Sequence, residues 1–179
     1  MDTNKEHFDS EEIFHVYNRG TDKRAIFIDD MDHRRFLESL REFNTPNNIA
    51  LRDSGSPTFS RIYSISAANA DIEYMRKEHL VDILCYCLML NHFHLMVRPL
   101  VENGLALFMR KLGGGYTNYF NTKYHRSGHL FQGRYKKKEI GSDESLLHVF
   151  AYIHLNPVTA KIVSKPNDYR WSSYLYFIG

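Results

Sequence analysis

Apolar residues recur along this chain with two periods, and the switches between them outline its elements. Ile13–Asn18 (IFHVYN) is short and rich in β-formers, and it ends at Arg19-Gly20-Thr21-Asp22, a turn sequence. Asp30–Phe43 puts Phe36, Leu37, Leu40 and Phe43 on one side of a helix, with charges on the other. Val81–Leu90 (VDILCYCLML) is apolar except for Asp82 and reads as a buried strand. After Asn91, His92–Arg98 (HFHLMVR) alternates as a second strand, stopped by Pro99. Leu105–Tyr124 is helical in pattern but contains Gly113-Gly114-Gly115. Three glycines cost about 1 kcal/mol each against alanine in a helix interior, which predicts a kink or break where backbone could approach a ligand. Arg126–Gln132 reads as a loop and Gly133–Ile140 as a basic segment with strand character. Ser142 or Asp143 can cap a last helix that has Glu144 in its first turn. That helix should run to about Leu155, with Pro157 closing it by disfavouring helix at Asn156.

Residues 44–69 hold Pro46, Asn47, Asn48, Gly55 and Pro57 with little periodicity, and read as a loop insertion with a short strand near Arg61–Ile65. Strands and helices alternate without the Gly-rich phosphate loop of a doubly wound sheet. The expected plan is α+β: a small antiparallel sheet with helices packed on one face, in one domain over residues 1–179.

Composition adds little until charge is placed along the chain. The apolar share of 43% and charged share of 25% are those of an ordinary soluble globular protein. Cys85 and Cys87 stand on one face of a strand, too close along it to bridge easily, so they read as buried thiols in a reducing compartment. No run approaches a membrane span, and the acidic start (MDTNKEHFDSEE) does not resemble a signal peptide; a cytoplasmic location is expected. Net charge is only +2, yet Asn103–Lys138 contains no Asp or Glu. It carries Arg110, Lys111, Lys123, Arg126, Arg134, Lys136, Lys137 and Lys138, so the rest of the chain is net acidic. A solvated helix face is one reading of that tract. A phosphate-binding surface is the reading that explains the lack of acids.

Candidate chemistry lies on either side of the tract. In His92-Phe93-His94 the strand period sends both imidazoles to one face, and Phe93, Leu95 and Val97 to the other. Two ligand-grade nitrogens a few ångströms apart suit a divalent cation, though two surface histidines on a half-exposed strand fit the same spacing. On the last helix His148, Tyr152 and Asn156 fall on one line, beside an apolar side of Leu146, Val149, Phe150 and Ile153. A tyrosine oxygen can attack phosphorus, but a phenol pKa of about 10 calls for help at neutral pH. A cation bound by the histidines could polarise the phosphate, with Asn156 as an oxygen ligand. Spacing alone leaves Tyr152 open as a core tyrosine.

Met89–Arg98 (MLNHFHLMVR), Tyr116–Tyr135 (YTNYFNTKYHRSGHLFQGRY) and Tyr152–Val158 (YIHLNPV) resemble the HUH transposases with a single catalytic tyrosine. The REP-associated tyrosine transposases are the nearest branch, and His15–Gly20 (HVYNRG) is similar to the first strand of the family. The resemblance implies a ferredoxin-like α+β domain with the histidine pair on a central strand. It implies that His92, His94 and Asn156 hold Mg²⁺ or Mn²⁺. It further implies that Tyr152 attacks single-stranded DNA, forms a 5′-phosphotyrosine and frees a 3′-hydroxyl. The substrate class would be a DNA hairpin with a flanking single-stranded guide, with no nucleotide cofactor.

Around that centre several assignments stay open. Tyr116, Tyr119 and Tyr124 are rival nucleophiles by composition, but stacking on bases or packing into the core is the role that suits them better. Arg126, Arg134, Lys136, Lys137 and Lys138 are the expected phosphate contacts, and Arg19 a further one. Gln132 could meet a base edge or form a turn, while Arg110 and Lys111 are set aside as solvent-facing. His154 should point off the site face, and His148 should border the site or cap the core. The enzyme could act as a monomer or a homodimer, associated with the nucleoid. Two other functions remain in play: a domesticated, non-catalytic DNA-binding relative, and a metal-dependent hydrolase that uses water in place of tyrosine.

Overall fold

The computed structural model describes residues 11–46 and 79–179. From residue 47 on, the expected insertion lies outside them, as does the strand expected near Arg61–Ile65. Four strands, β1 (Ile13–Arg19), β2 (Val81–Met89), β3 (His92–Pro99) and β4 (Lys136–Ile140), form one sheet in the order β2-β3-β1-β4. Every pairing is antiparallel, and β3 is interior. Three long helices accompany it: α1 (Asp30–Glu42), α2 (Gly104–Lys123) and α3 (Asp143–Thr159).

The alternation in β3 divides the protein into two cores. Phe93, Leu95 and Val97 pack with Phe14 and Val16 of β1 against Phe36 and Leu40 of α1, and Phe108, Leu112 and Tyr116 of α2. Each such buried side chain contributes on the order of 2 kcal/mol of hydrophobic stabilisation. The other face carries Cys85, Cys87, Met89 and Met96, and is covered by Ile153 of α3 with Leu146, Val149 and Phe150 beside it. Thus α1 and α2 share one face of the sheet, but α3 lies on the opposite one, where His92 and His94 point; the expected single covered face gives way to two because Cys85, Cys87, Met89 and Met96 also need cover. The two cysteines are free, and burial pushes both thiols up to about 12.

Two helix boundaries differ from the sequence expectation. Helix α2 runs unbroken through Gly113–Gly115, because Phe108, Leu112, Tyr116 and Phe120 are buried on both sides of the glycines and hold the helix to the sheet. Gly115 has a packing reason: a Cβ there would lie 2.1 Å from the Phe43 ring. Gly113 and Gly114 would meet nothing within 4 Å. Helix α3 passes Asn156 and Pro157 and ends at Thr159. A proline this near a C-terminus forfeits one helical hydrogen bond. Pro157 is buried, and beyond it the helix end is closed by Ala160 N–H donating to the Asn156 carbonyl and Ile162 N–H to the Pro157 carbonyl, each at 2.9 Å. N-terminal caps start the helices cleanly: Asp29 and Asp32 form a capping box on α1, and Ser142 Oγ accepts from Ser145 N–H on α3.

Trp171 and Ser173 extend the sheet past β2, through Leu88 N–H to the Trp171 carbonyl and Ser173 N–H to the Tyr86 carbonyl. Among the described residues no helix is long and apolar enough to cross a membrane.

Candidate active site

Strand register assembles the site. Opposite His94 stand Tyr17 on β1 and Cys87 on β2; opposite His92 stand Arg19 and Met89. Directly paired residues point to the same side of a sheet, so Tyr17 and Arg19 share the histidine face. The strand period adds His15, whose Nε2 lies 2.8 Å from Nδ1 of His94 with the rings 5.0 Å apart and near-stacked. His92 and His94 stand perpendicular, with ring centroids 5.0 Å apart. Over them α3 places Tyr152, its ring edge-on to His94 at 5.5 Å and to His15 at 5.9 Å. Ile153 anchors the helix in the core beneath, while Tyr152 remains 53% exposed. The result is a half-exposed phenol edge-on to two imidazoles, with His92 beside the second.

The electrostatics favour neutral imidazoles. Burial, then the Arg19 guanidinium, lowers the His92 pKa to about 4. Burial, then His92, His15 and Arg19, lowers that of His94 to about 3. Burial and the nearby Lys138 lower His15 as well. Neutral imidazole is the form that binds a metal. Among the described residues no three His, Cys, Asp or Glu side chains are grouped to hold a cation by themselves. The histidine pair therefore suits a cation that takes its other ligands from an amide or from substrate oxygens. Asn156 stands one turn beyond Tyr152 on α3, and its NH₂ donates to the Tyr152 carbonyl at 2.8 Å.

The rival tyrosines belong to the opposite side of the sheet. Tyr116 is fully buried and donates to the Ile26 carbonyl at 2.6 Å, and burial raises its pKa. Tyr119 and Tyr124 both donate to the Asp32 carboxylate, and burial pushes Tyr119 up to about 12. His154 is turned into the core, with Nδ1 bonded to the Phe150 carbonyl and Nε2 to Ser173 Oγ. His148 neither borders the cleft nor caps the core: its side chain is solvent-exposed near Glu144.

The basic tract is split among different surroundings. Lys136 and Lys138 pair with Tyr17 and His15, which puts them on the histidine face. Lys137 faces the other way, its ammonium 4.3 Å from the Phe14 ring. Arg134 lines a groove of about 1020 Å³ behind the sheet, together with Arg110, Gly113, Gly114, His129 and Tyr135. Arg126 is half-buried with its guanidinium 5.6 Å from the Phe120 ring. Gln132 is exposed, and its N–H donates to the Arg19 carbonyl. Lys123 is withdrawn from the surface charge by ion pairs to Asp29 and Asp32 at 2.7 Å.

Sequence reasoning gave no role to His15, Asn91 or Tyr17 and set Arg110 aside. One signal was present: His15, Tyr17 and Arg19 alternate as a polar face of β1. A second was the spacing of Arg110 to Gly113 and Gly114, which share one helix face.

The four-stranded antiparallel sheet with its helices is the α+β plan that the sequence resemblance implied. The family model described as "Transposase IS200 like" matches residues 65–156, a span that takes in β2, β3, α2, β4 and α3 as far as Asn156. The chain belongs to this IS200-like transposase family. No curated protein sequence matches it. In three dimensions it is similar to a REP-associated tyrosine transposase solved bound to a REP hairpin. The TM-score is 0.61 over 98% of this chain and 84% of that one, at 12% identity, a likeness of fold.

Proposed function

We propose that this protein is a metal-dependent single-strand DNA endonuclease and strand transferase that cuts hairpin-associated DNA through a 5′-phosphotyrosine. The observation that carries this reading is the half-exposed Tyr152 ring set edge-on against His94 and His15. In the proposed step the Tyr152 oxygen attacks phosphorus and the bond to the 3′-oxygen breaks. The phenol loses a proton and the departing 3′-hydroxyl gains one. The phosphodiester energy is kept in the protein–DNA bond, so transfer to a new 3′-hydroxyl needs no nucleotide cofactor.

His92, His94 and Asn156 would hold Mg²⁺ or Mn²⁺, which supplies Lewis-acid polarisation of the scissile phosphate when bound. Arg19, Lys136 and Lys138 share the histidine face and would take phosphates flanking the cleavage point. Arg134 and Gln132 would contact DNA running round the end of β1, with Arg126 and Lys137 as outlying phosphate contacts. Hairpin DNA as the substrate class is supported by the relative solved with a REP hairpin.

The test is a hairpin-bearing single strand incubated with the protein and Mg²⁺ or Mn²⁺, scored for a covalent adduct on the 5′ end. Tyr152→Phe should abolish the adduct and leave DNA binding largely intact. An adduct that persists in Tyr152→Phe would overturn the choice of nucleophile. Cleavage without any linkage would point to a water-using hydrolase, and binding without cleavage to a non-catalytic relative.

A further inference from the structure

We infer that Asn91 and His15 are positioning residues that set the tautomers of His92 and His94, so that both Nε2 lone pairs are presented to one divalent cation. The inference rests on the metal reading above. It starts from hydrogen-bond logic that the fold imposes.

Asn91 lies in the tight turn between β2 and β3. Its NH₂ donates to the Lys23 carbonyl at 3.0 Å, and its Oδ1 lies 2.7 Å from Nδ1 of His92. A carbonyl can only accept, so the amide nitrogen must face Lys23 and the amide oxygen must face His92. That oxygen also only accepts, so the His92 proton sits on Nδ1. A neutral imidazole carries one N–H, which leaves Nε2 of His92 as a bare lone pair. The turn is itself fixed, because the Asn91 carbonyl accepts Gly20 N–H at 2.9 Å.

His15 does the same for His94 from another strand. Its Nε2 lies 2.8 Å from Nδ1 of His94, and one of these two nitrogens must donate. Only one arrangement leaves His94 able to bind a metal through Nε2: its Nδ1–H donates, and His15 accepts with its own proton on Nδ1. Both rings are buried, His15 8% and His94 5% exposed, so an unpaired N–H here would be costly. A turn amide and a neighbouring strand thus occupy the inner nitrogen of each proposed ligand. Such partners orient metal-bound histidines, and their loss typically weakens metal affinity by about 10–100-fold.

Two measurements on the full chain test this. Correlated ¹H–¹⁵N spectra of the metal-free protein should show Nδ1–H tautomers at His92 and His94. Titration with Mn²⁺ alone, without DNA, should show Asn91→Ala and His15→Phe binding about tenfold more weakly or worse. Asn91→Asp and His15→Gln, which keep an acceptor facing each Nδ1 (a side-chain oxygen replacing the ring nitrogen at 15, and at 91 without the donor to the Lys23 carbonyl), should return most of that affinity. A merely structural role would not be rescued in this way.

Nε2–H tautomers in the wild type would overturn the inference, as would full Mn²⁺ affinity in folded Asn91→Ala and His15→Phe while His92→Ala abolishes it. Should the Ala and Phe variants fail to fold, the wild-type tautomers and the two rescuing variants decide. Mn²⁺ binding that survives His92→Ala, or its absence in the wild type, would instead sink the metal reading on which the inference stands.

Discussion

The Tyr152 ring meets the His94 imidazole edge-on at 5.5 Å while remaining half exposed, so it is presented to the cleft without being part of the core. The neighbouring Ile153 carries the packing of α3. Tyr152→Phe should therefore change unfolding free energy by no more than about 0.5 kcal/mol, as surface substitutions do. Tyr116→Phe should behave in the opposite way. It leaves the Ile26 carbonyl without its buried donor, costs about 1–2 kcal/mol, and retains adduct formation. Urea denaturation of both variants, beside the adduct assay, checks the pair. A large stability loss in Tyr152→Phe would make the ring a structural tyrosine after all.

The histidines make stability depend on acid in a definite direction. Burial, with Arg19, holds His92 at about 4, and burial, with His92, His15 and Arg19, holds His94 at about 3, against about 6.5 in an unfolded chain. Between those values the unfolded chain binds more protons than the folded one. Stability should therefore fall as pH drops below about 6.5 and be unaffected by this pair above it. Urea midpoints from pH 8 to 4 should show the slope, and His92→Gln with His94→Gln should reduce it, leaving the part that buried His15, His33 and His154 contribute. Identical slopes in the double variant would mean that the pair titrates no differently when folded.

Much of this arrangement was legible in the sequence because it is periodic. The alternation His92-Phe93-His94-Leu95 states which residues share a face, and the i, i+4 spacing of Tyr152 and Asn156 states which share a helix line. What lay out of reach is non-local. Nothing in IFHVYN shows that β1 will pair with β3 in the register that carries His15 to His94, and strand pairing is decided by the whole sheet. The side of the sheet chosen by α3 is likewise a matter of which face still needs covering. Local propensity misled at Gly113–Gly115 and at Pro157, where burial on either side outweighed the loss of a few local contacts.

The glycine run makes a graded prediction. Gly113→Ala and Gly114→Ala add a methyl in open space on a helix and should each stabilise the protein by about 0.5–1 kcal/mol. Gly115→Ala pushes a Cβ against the Phe43 ring and should destabilise, by about 1–3 kcal/mol as overpacking does. Thermal melts of the three variants would show the sign change. Uniform destabilisation at all three positions would mean that Gly113 and Gly114 have no open space beside them in the groove.

Charge in the basic tract should divide by function in the same way. Lys136 and Lys138 are exposed on the histidine face, whereas Lys123 is committed to Asp29 and Asp32. Each phosphate contact to a single strand contributes a slope of about 0.7 in log affinity against log salt. Lys136→Ala with Lys138→Ala should lower that slope by up to about twice this amount and leave stability almost unchanged. Lys123→Met should leave the slope as it is but strand the buried Asp32 carboxylate, at a cost of about 3 kcal/mol. Binding isotherms at several salt concentrations, read beside urea midpoints, separate the two outcomes. A reduced salt slope in a stably folded Lys123→Met would show that this lysine leaves its carboxylates to meet DNA.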